Sequence, residues 1–271
     1  MKYSWESGTL VTLPERGWYP QKPTIITTSW DDGAVFDDRL AKLLDRFGIK
    51  GTFYLPLSVK GEVVNVSSRA ETLLPLGMEI GAHTLTHPTL SQLDEAQLWR
   101  EIGGSKQALE QILGQEVTSF CYPKGKFDAR CRRIAKASGY VVARTTESFC
   151  TQTEFDPFAM PVTLQVCPHT RTSMLRHMVK GINWRGLQAW SDAGACSNKL
   201  DALADGFLNK VLMDGGTFHL WGHSWEIERY GLWQTLEVLF ERISGVSGVQ
   251  YLTNTQAWQH CHRYNQTMQC D

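Results

Sequence analysis

The sequence predicts an α/β fold: a distorted or incomplete (β/α) barrel with its active site at the C-terminal ends of the strands. Three observations predict it. Apolar, β-branched runs of strand length alternate with stretches of helical period along most of the chain. Several of these strands stop abruptly in polar or charged residues, at the edge where parallel α/β sheets and barrels carry their chemistry. The 271 residues, 42% hydrophobic and 20% charged, suffice for the core of one such domain. Residues 1–22, rich in Trp, Pro, Gly and charge, read as an N-terminal arm, and residues 23–271 as a single domain.

Residues 23–30 form the first strand, which ends at Asp31, Asp32 and Gly33. A helix over 36–47 spaces Leu40, Leu43, Leu44 and Phe47 on one face and stops at Gly48. A strand over 51–57 leads into a polar, loop-like stretch over 58–68 and a short helix over 68–76. Strand 78–82 ends at His83, and a long helix over 94–113 turns Leu98, Ile102, Leu109 and Leu113 inward before Gly114. Strand 117–122 opens into Pro123-Lys124-Gly125, followed by a helix through Ala137 and strands over 140–146 and 160–166. Residues 167–195 read as a helix and an excursion that walls a cleft, and 198–213 as a helix stopped by Gly215 and Gly216. Strand alternation over 217–223 places His219, Trp221 and His223 on one face. A helix over 232–243, a strand over 249–253 and a helix from Asn254 close the chain.

Two stretches carry chemistry. Asp31 and Asp32 end a strand together, so one can bind a metal while its neighbour titrates; alone, such a pair before Gly33 would more simply cap a turn. His83 and His87, four residues apart with the first at a strand end, can present two nitrogens to one ion. Thr84 stands where the helical metalloprotease motif has its glutamate, so a general base must come from elsewhere. Two imidazoles and a carboxylate leave coordination positions open for water and substrate, as catalytic sites do. The ligand set favours zinc, and iron, cobalt or nickel would also fit.

Ser29-Trp30-Asp31-Asp32-Gly33 and His83-Thr84-Leu85-Thr86-His87 resemble the first and second motifs of the polysaccharide deacetylases of carbohydrate esterase family 4. The resemblance runs from about Pro23 over most of the chain. It implies Asp31 as catalytic base and Asp32, His83 and His87 as ligands of one divalent metal, most readily Zn2+. Cys121-Tyr122-Pro123-Lys124-Gly125 resembles the third motif, Arg-x-Pro-aromatic-Gly, with cysteine at the position of the arginine that orients the catalytic aspartate. Arg144, at the end of the next strand, is a candidate replacement. Lys124 occupies the position whose backbone N–H helps hold the oxyanion, a role independent of its side chain. The strand over 217–223 resembles the fifth motif and implies His223 as general acid; His219 competes but lies a turn deeper, where it packs as an interior histidine. Trp190-Ser191-Asp192 resembles the fourth motif too faintly to carry a role. Trp30, Tyr122, Trp221 and Trp225, beside these motifs, are the expected substrate-binding aromatics.

These residues imply a metal-dependent hydrolase that removes N-acetyl groups from amino sugars in a polysaccharide, oligosaccharide or glycan precursor. The alternatives are a hydrolase of another amide, formyl or cyclic, on the same ion, and an inactive carbohydrate-binding homologue, which the missing third-motif arginine keeps open. Twenty-seven basic and 28 acidic side chains give a formal charge of −1, which offers no footprint for nucleic acid or an anionic membrane. The expected partner is the N-acetylated sugar. No stretch is apolar enough to span a bilayer, residues 1–14 lack a signal-like run, and seven scattered cysteines form no Cys-x-x-Cys pair. The chain is therefore expected in the cytoplasm, or outside the cell if it is a trimmed mature form.

Overall fold

The computed structural model describes residues 22–168, 188–192 and 199–270. The predicted arm, but for residue 22, and most of the predicted excursion over 167–195 lie outside the described residues. β1 (Thr24–Asp31) holds the centre, with all eight residues buried. A strand buried on both faces needs partners on both edges. On one edge β9 (Gly216–Gly222) pairs with it in parallel from Thr24↔Gly216 to Trp30↔Gly222. Two parallel strands share the other edge: β10 (Val249–Tyr251) covers its first half and β2 (Gly51–Leu55) its second. Beyond β2 the sheet continues through β5 (Glu79–Ala82), β6 (Ser119–Cys121) and β7 (Val142–Arg144), while β8 (Leu164–Gln165) lies outside β9. This parallel sheet curls into a half-barrel, the fold class that the alternating pattern predicts.

The predicted strand over 160–166 is divided between two partners. Met160 bridges to Arg144 of β7, whereas Leu164 and Gln165 pair with β9. Pro161, which has no N–H to give a ladder, stands where the partner changes. The segment thus links β7 to β9 through one bridge on one side and two register pairs on the other.

Helices cover the sheet: α1 (Asp37–Arg46), α2 (Val66–Leu73), α3 (Glu95–Leu113), α4 (Ala129–Ala137), α5 (Leu200–Asp214), α6 (Ser224–Arg229), α7 (Trp233–Ile243) and α8 (Asn254–Cys270). α2 begins two residues before its predicted start because Asn65 caps it, accepting from the Ser68 N–H at 3.1 Å. The loop predicted over 58–68 contains a hairpin of β3 (Ser58–Val59) and β4 (Glu62–Val63). α3 starts with a reciprocal Asp94–Gln97 capping box and ends at left-handed Gly114. Its buried face comprises Leu98, Glu101, Ile102, Ser105 and Leu109; Leu113, expected inward, is only partly buried. The short helix α6, which periodicity does not announce, follows directly on His223.

Candidate active site

β1 delivers Asp31 to the C-terminal edge of the sheet, and the chain then turns sharply. Asp32 takes a left-handed backbone with φ of 80°. Gly33 follows at φ 67°, so close to Val64 that an added Cβ would lie 2.6 Å from its Cγ1. Asp31 accepts from the guanidinium of Arg144, a side chain with no exposed surface, and Cys121 Sγ donates to its other oxygen at 3.7 Å. Cys121 and Arg144 are register partners on β6 and β7. The cation that the resemblance expects at position 121 therefore arrives from the neighbouring strand at the same height. The rings of Tyr54 and Trp221 flank it, 5.3 and 4.7 Å from its Cζ. Burial pushes the Asp31 carboxyl up, but the charge of Arg144, with His83 and His223, outweighs it and holds Asp31 below the ordinary value.

Asp32, His83 and His87 converge. The Nε2 atoms of His83 and His87 lie 3.7 and 3.3 Å from Asp32 Oδ1. That oxygen is buried and has no hydrogen-bond partner among the described residues. His83 Nδ1 is engaged by the Cys121 carbonyl at 2.8 Å, which leaves Nε2 as the lone pair facing Asp32. Burial holds His83 below its ordinary pKa, and burial with the adjacent His83 takes His87 down to about 4. Two neutral imidazoles and an orphaned buried carboxylate oxygen form a set of lone pairs that fits a divalent cation.

The loop that carries both histidines is held from below. Glu101 of α3 accepts from the N–H groups of Leu85 and Thr86 at 3.0 and 2.9 Å and from the Thr86 hydroxyl at 2.8 Å. Thr84 Oγ1 accepts from the His87 N–H at 3.0 Å. Asp32, Thr84, His87 and Lys124, four of the six described non-glycine residues with positive φ, stand in these site loops. Such conformations cost about 1–3 kcal/mol each and persist only where surrounding contacts enforce them.

His223 closes the site from β9. Its Nδ1 meets Glu226 Oε2 at 2.7 Å, while Nε2 lies 3.9 Å from Asp32 Oδ2. Burial disfavours the charged ring, but the hydrogen bond to Glu226, reinforced by Asp31 and Asp32, prevails and raises the His223 pKa. Trp225 Nε1 donates to Asp32 Oδ2 at 3.0 Å, and Ser224 Oγ donates to buried Asp37 at 2.5 Å. His219 lies deeper, between Ser29 Oγ at 2.8 Å and the Pro161 carbonyl at 3.1 Å, and is held at about 3 by burial. It packs as an interior histidine.

Lys124 lines the same cleft, with its backbone left-handed and its ammonium bonded to Thr89 Oγ1 at 3.1 Å. The expected aromatic contacts require correction. Trp30 has no exposed surface: it packs edge-on to Phe240 and donates to Thr28 Oγ1. Tyr122 is equally buried, stacked on Phe127 and bonded to the Phe158 carbonyl. Neither can receive a sugar. Trp221, 6% exposed, backs Arg144, and Trp225 lines the cleft with its N–H already engaged by Asp32. Sequence reasoning missed Glu226 and Glu101. A carboxylate one helical turn after His223, and another inside the apolar stripe of α3, were the available signals.

A half-barrel that brings a buried Asp–Arg pair beside an Asp-His-His cluster defines an α/β protein with a candidate metal site at its strand ends. Residues 19–143, a little under half of the chain, match the family model described as Polysaccharide deacetylase. It is 30% identical over 132 residues to Chitin deacetylase 1 of Cryptococcus neoformans var. grubii, a match covering 45% of this chain and 27% of that protein. The matches to the first three curated relatives span less than half of each of them. Among solved structures, the chitin deacetylase of Colletotrichum lindemuthianum aligns over 87% of this chain and 88% of its own, with 15% identity and a TM-score of 0.56. A family 4 pseudoenzyme from Bacillus anthracis aligns over 89% of this chain and 66% of its own, with 15% identity and a TM-score of 0.53. These structural likenesses are likenesses of fold.

Proposed function

We propose that the chain is a metal-dependent hydrolase that removes N-acetyl groups from amino sugars, with Zn2+ as its ion. The observation that carries the reading is the division of labour between adjacent carboxylates: Asp31 faces a guanidinium, and Asp32 faces two neutral imidazoles. Asp32, His83 and His87 would hold the ion. When bound, it supplies Lewis acidity toward the amide carbonyl and lowers the pKa of water. Asp31, kept ionised by Arg144, accepts the proton of the attacking water. The Lys124 N–H would donate to the developing oxyanion. His223, kept charged by Glu226, returns a proton to the departing nitrogen. The cleft, about 1530 Å³, exceeds the roughly 300–1,000 Å³ of ordinary small-molecule sites and favours a glycan segment over a single sugar.

The missing third-motif arginine no longer favours the inactive reading, because Arg144 supplies a guanidinium to Asp31 from the adjacent strand. The test is metal content of protein purified without added metal, combined with acetate release from N-acetylated sugars, sugar nucleotides and short oligomers. Chelator-sensitive acetate release with about one ion per chain is the expected result. Bound metal with no acetate from any member would redirect the reading to formyl or cyclic amides, and absence of metal would leave a binding protein.

A further inference from the structure

Two neighbouring aspartates differ in what touches them, and one contact has no counterpart in the sequence motifs. Asp31 is neutralised by a cation, Arg144. Asp32 receives instead the uncharged indole N–H of Trp225, at Oδ2, while Oδ1 faces His83 and His87 with no hydrogen-bond donor among the described residues. An indole N–H is a donor only; its nitrogen has no lone pair to compete for an ion. Being neutral, it adds no positive charge of its own beside Asp32, whereas a guanidinium in its place would repel a cation.

We propose that Trp225 is a positioning residue of the metal centre: it occupies one oxygen of Asp32 and so presents the other, Oδ1, to the ion. The inference rests on the reading of Asp32, His83 and His87 as metal ligands. It accounts for the form of α6, whose first three side chains each reach the site or its support. Ser224 donates to Asp37 at the start of α1, Trp225 to Asp32, and Glu226 accepts from His223. The same turn thereby sets the metal carboxylate and the imidazole opposite it. It also changes the role of Trp225 from a sugar-stacking face to a support of the ligand.

The test measures Zn2+ affinity directly, by competition against a chromogenic chelator, in wild type and Trp225→Phe, alongside the thermal midpoint of each metal-free protein. Loss of an outer-shell partner typically weakens metal binding about 10- to 100-fold, and that loss is expected in Trp225→Phe. Site-specific replacement of Trp225 by 3-benzothienylalanine keeps the ring shape and removes only the donor. It should lose Zn2+ affinity to a similar degree with an unchanged metal-free midpoint, which separates positioning from packing and decides the matter if Trp225→Phe does not fold. Wild-type affinity in the benzothienyl variant overturns the inference while leaving the metal-centre reading intact. Failure of the wild type itself to bind Zn2+ removes the metal-centre reading on which the inference stands.

Discussion

Arg144→Met should expose how strongly one buried cation sets the chemistry of Asp31. Both side chains are inaccessible, at 0% and 5% relative exposure, and their charged ends are in direct contact. Two unit charges about 4 Å apart in a medium of effective dielectric about 20 interact by about 4 kcal/mol. Removing the cation therefore raises the Asp31 pKa. Burial, the largest influence on this group and one that already favours the neutral acid, is then opposed only by His83 and His223. In wild type a depressed carboxyl stabilises the fold above its unfolded pKa, and that contribution fades as pH falls through the folded value. In Arg144→Met the sign reverses: a raised pKa means stability lost as pH rises. The variant should therefore be destabilised relative to wild type by about 3–5 kcal/mol at pH 8, and by distinctly less at pH 5. Urea unfolding at the two values measures this, and the acid limb of the pH–rate profile should move toward neutrality in parallel. An equal deficit at both pH values, with an unmoved acid limb, would refute the argument that Arg144 controls the charge of Asp31.

The remaining predictions concern the support of the acid, the buried carboxyl beneath it and the misread aromatic. Glu226→Gln removes the hydrogen-bonding carboxylate that raises His223, so the alkaline limb of the rate profile should shift to lower pH; an unchanged limb would exclude His223 as the group titrating there. Asp37, buried and raised to about 8 chiefly by desolvation, stabilises the fold fully below its unfolded value and loses that contribution as pH rises toward 8. Asp37→Asn should consequently gain stability relative to wild type between pH 5 and pH 8, as read by thermal unfolding, and a flat difference would show that Asp37 is ionised in the fold. Trp30→Ala should cost about 3–5 kcal/mol of stability while leaving KM unchanged under conditions where it is folded; a raised KM with little lost stability would restore Trp30 to the substrate site.

The fold was legible because its signals are local. The β-branched runs, the glycine stops and the charged strand ends each follow from a few consecutive residues. Asp31, Asp32, His83 and His87 were legible as candidates for the same reason, since the first three stand at strand ends and His87 follows His83 by four residues. Trp30 was misjudged because nearness in sequence is not nearness in space: adjacent residues on a strand point to opposite faces, so the neighbour of Asp31 enters the core. Arg144 could be proposed from its strand end, but its contact with Asp31 depends on the pairing of Cys121 with Arg144, which no single stretch encodes. The segment over 160–166 reads as one strand in the sequence, because its change of partner from β7 to β9 depends on both strands at once. The contact of Trp225 with Asp32 and the part played by Glu226 were hidden because α6 is too short for periodicity to reveal, and its orientation comes from contacts to Asp32, Asp37 and His223.

The left-handed backbones at Asp32, Thr84, His87 and Lys124 bear on how this protein responds to selection. Glycine adopts such angles without strain, so replacements there can lower the energy of the folded backbone while deleting a carboxylate, a hydroxyl or an imidazole. Thr84 is the sharpest case, because its β-branched side chain suits that conformation poorly and yet its oxygen holds the His87 N–H. Selection for heat resistance alone would be drawn to these positions and would deliver a sturdier scaffold with an emptied centre. Improved variants would have to be screened for durability and turnover together, since at these positions the two demands favour different residues.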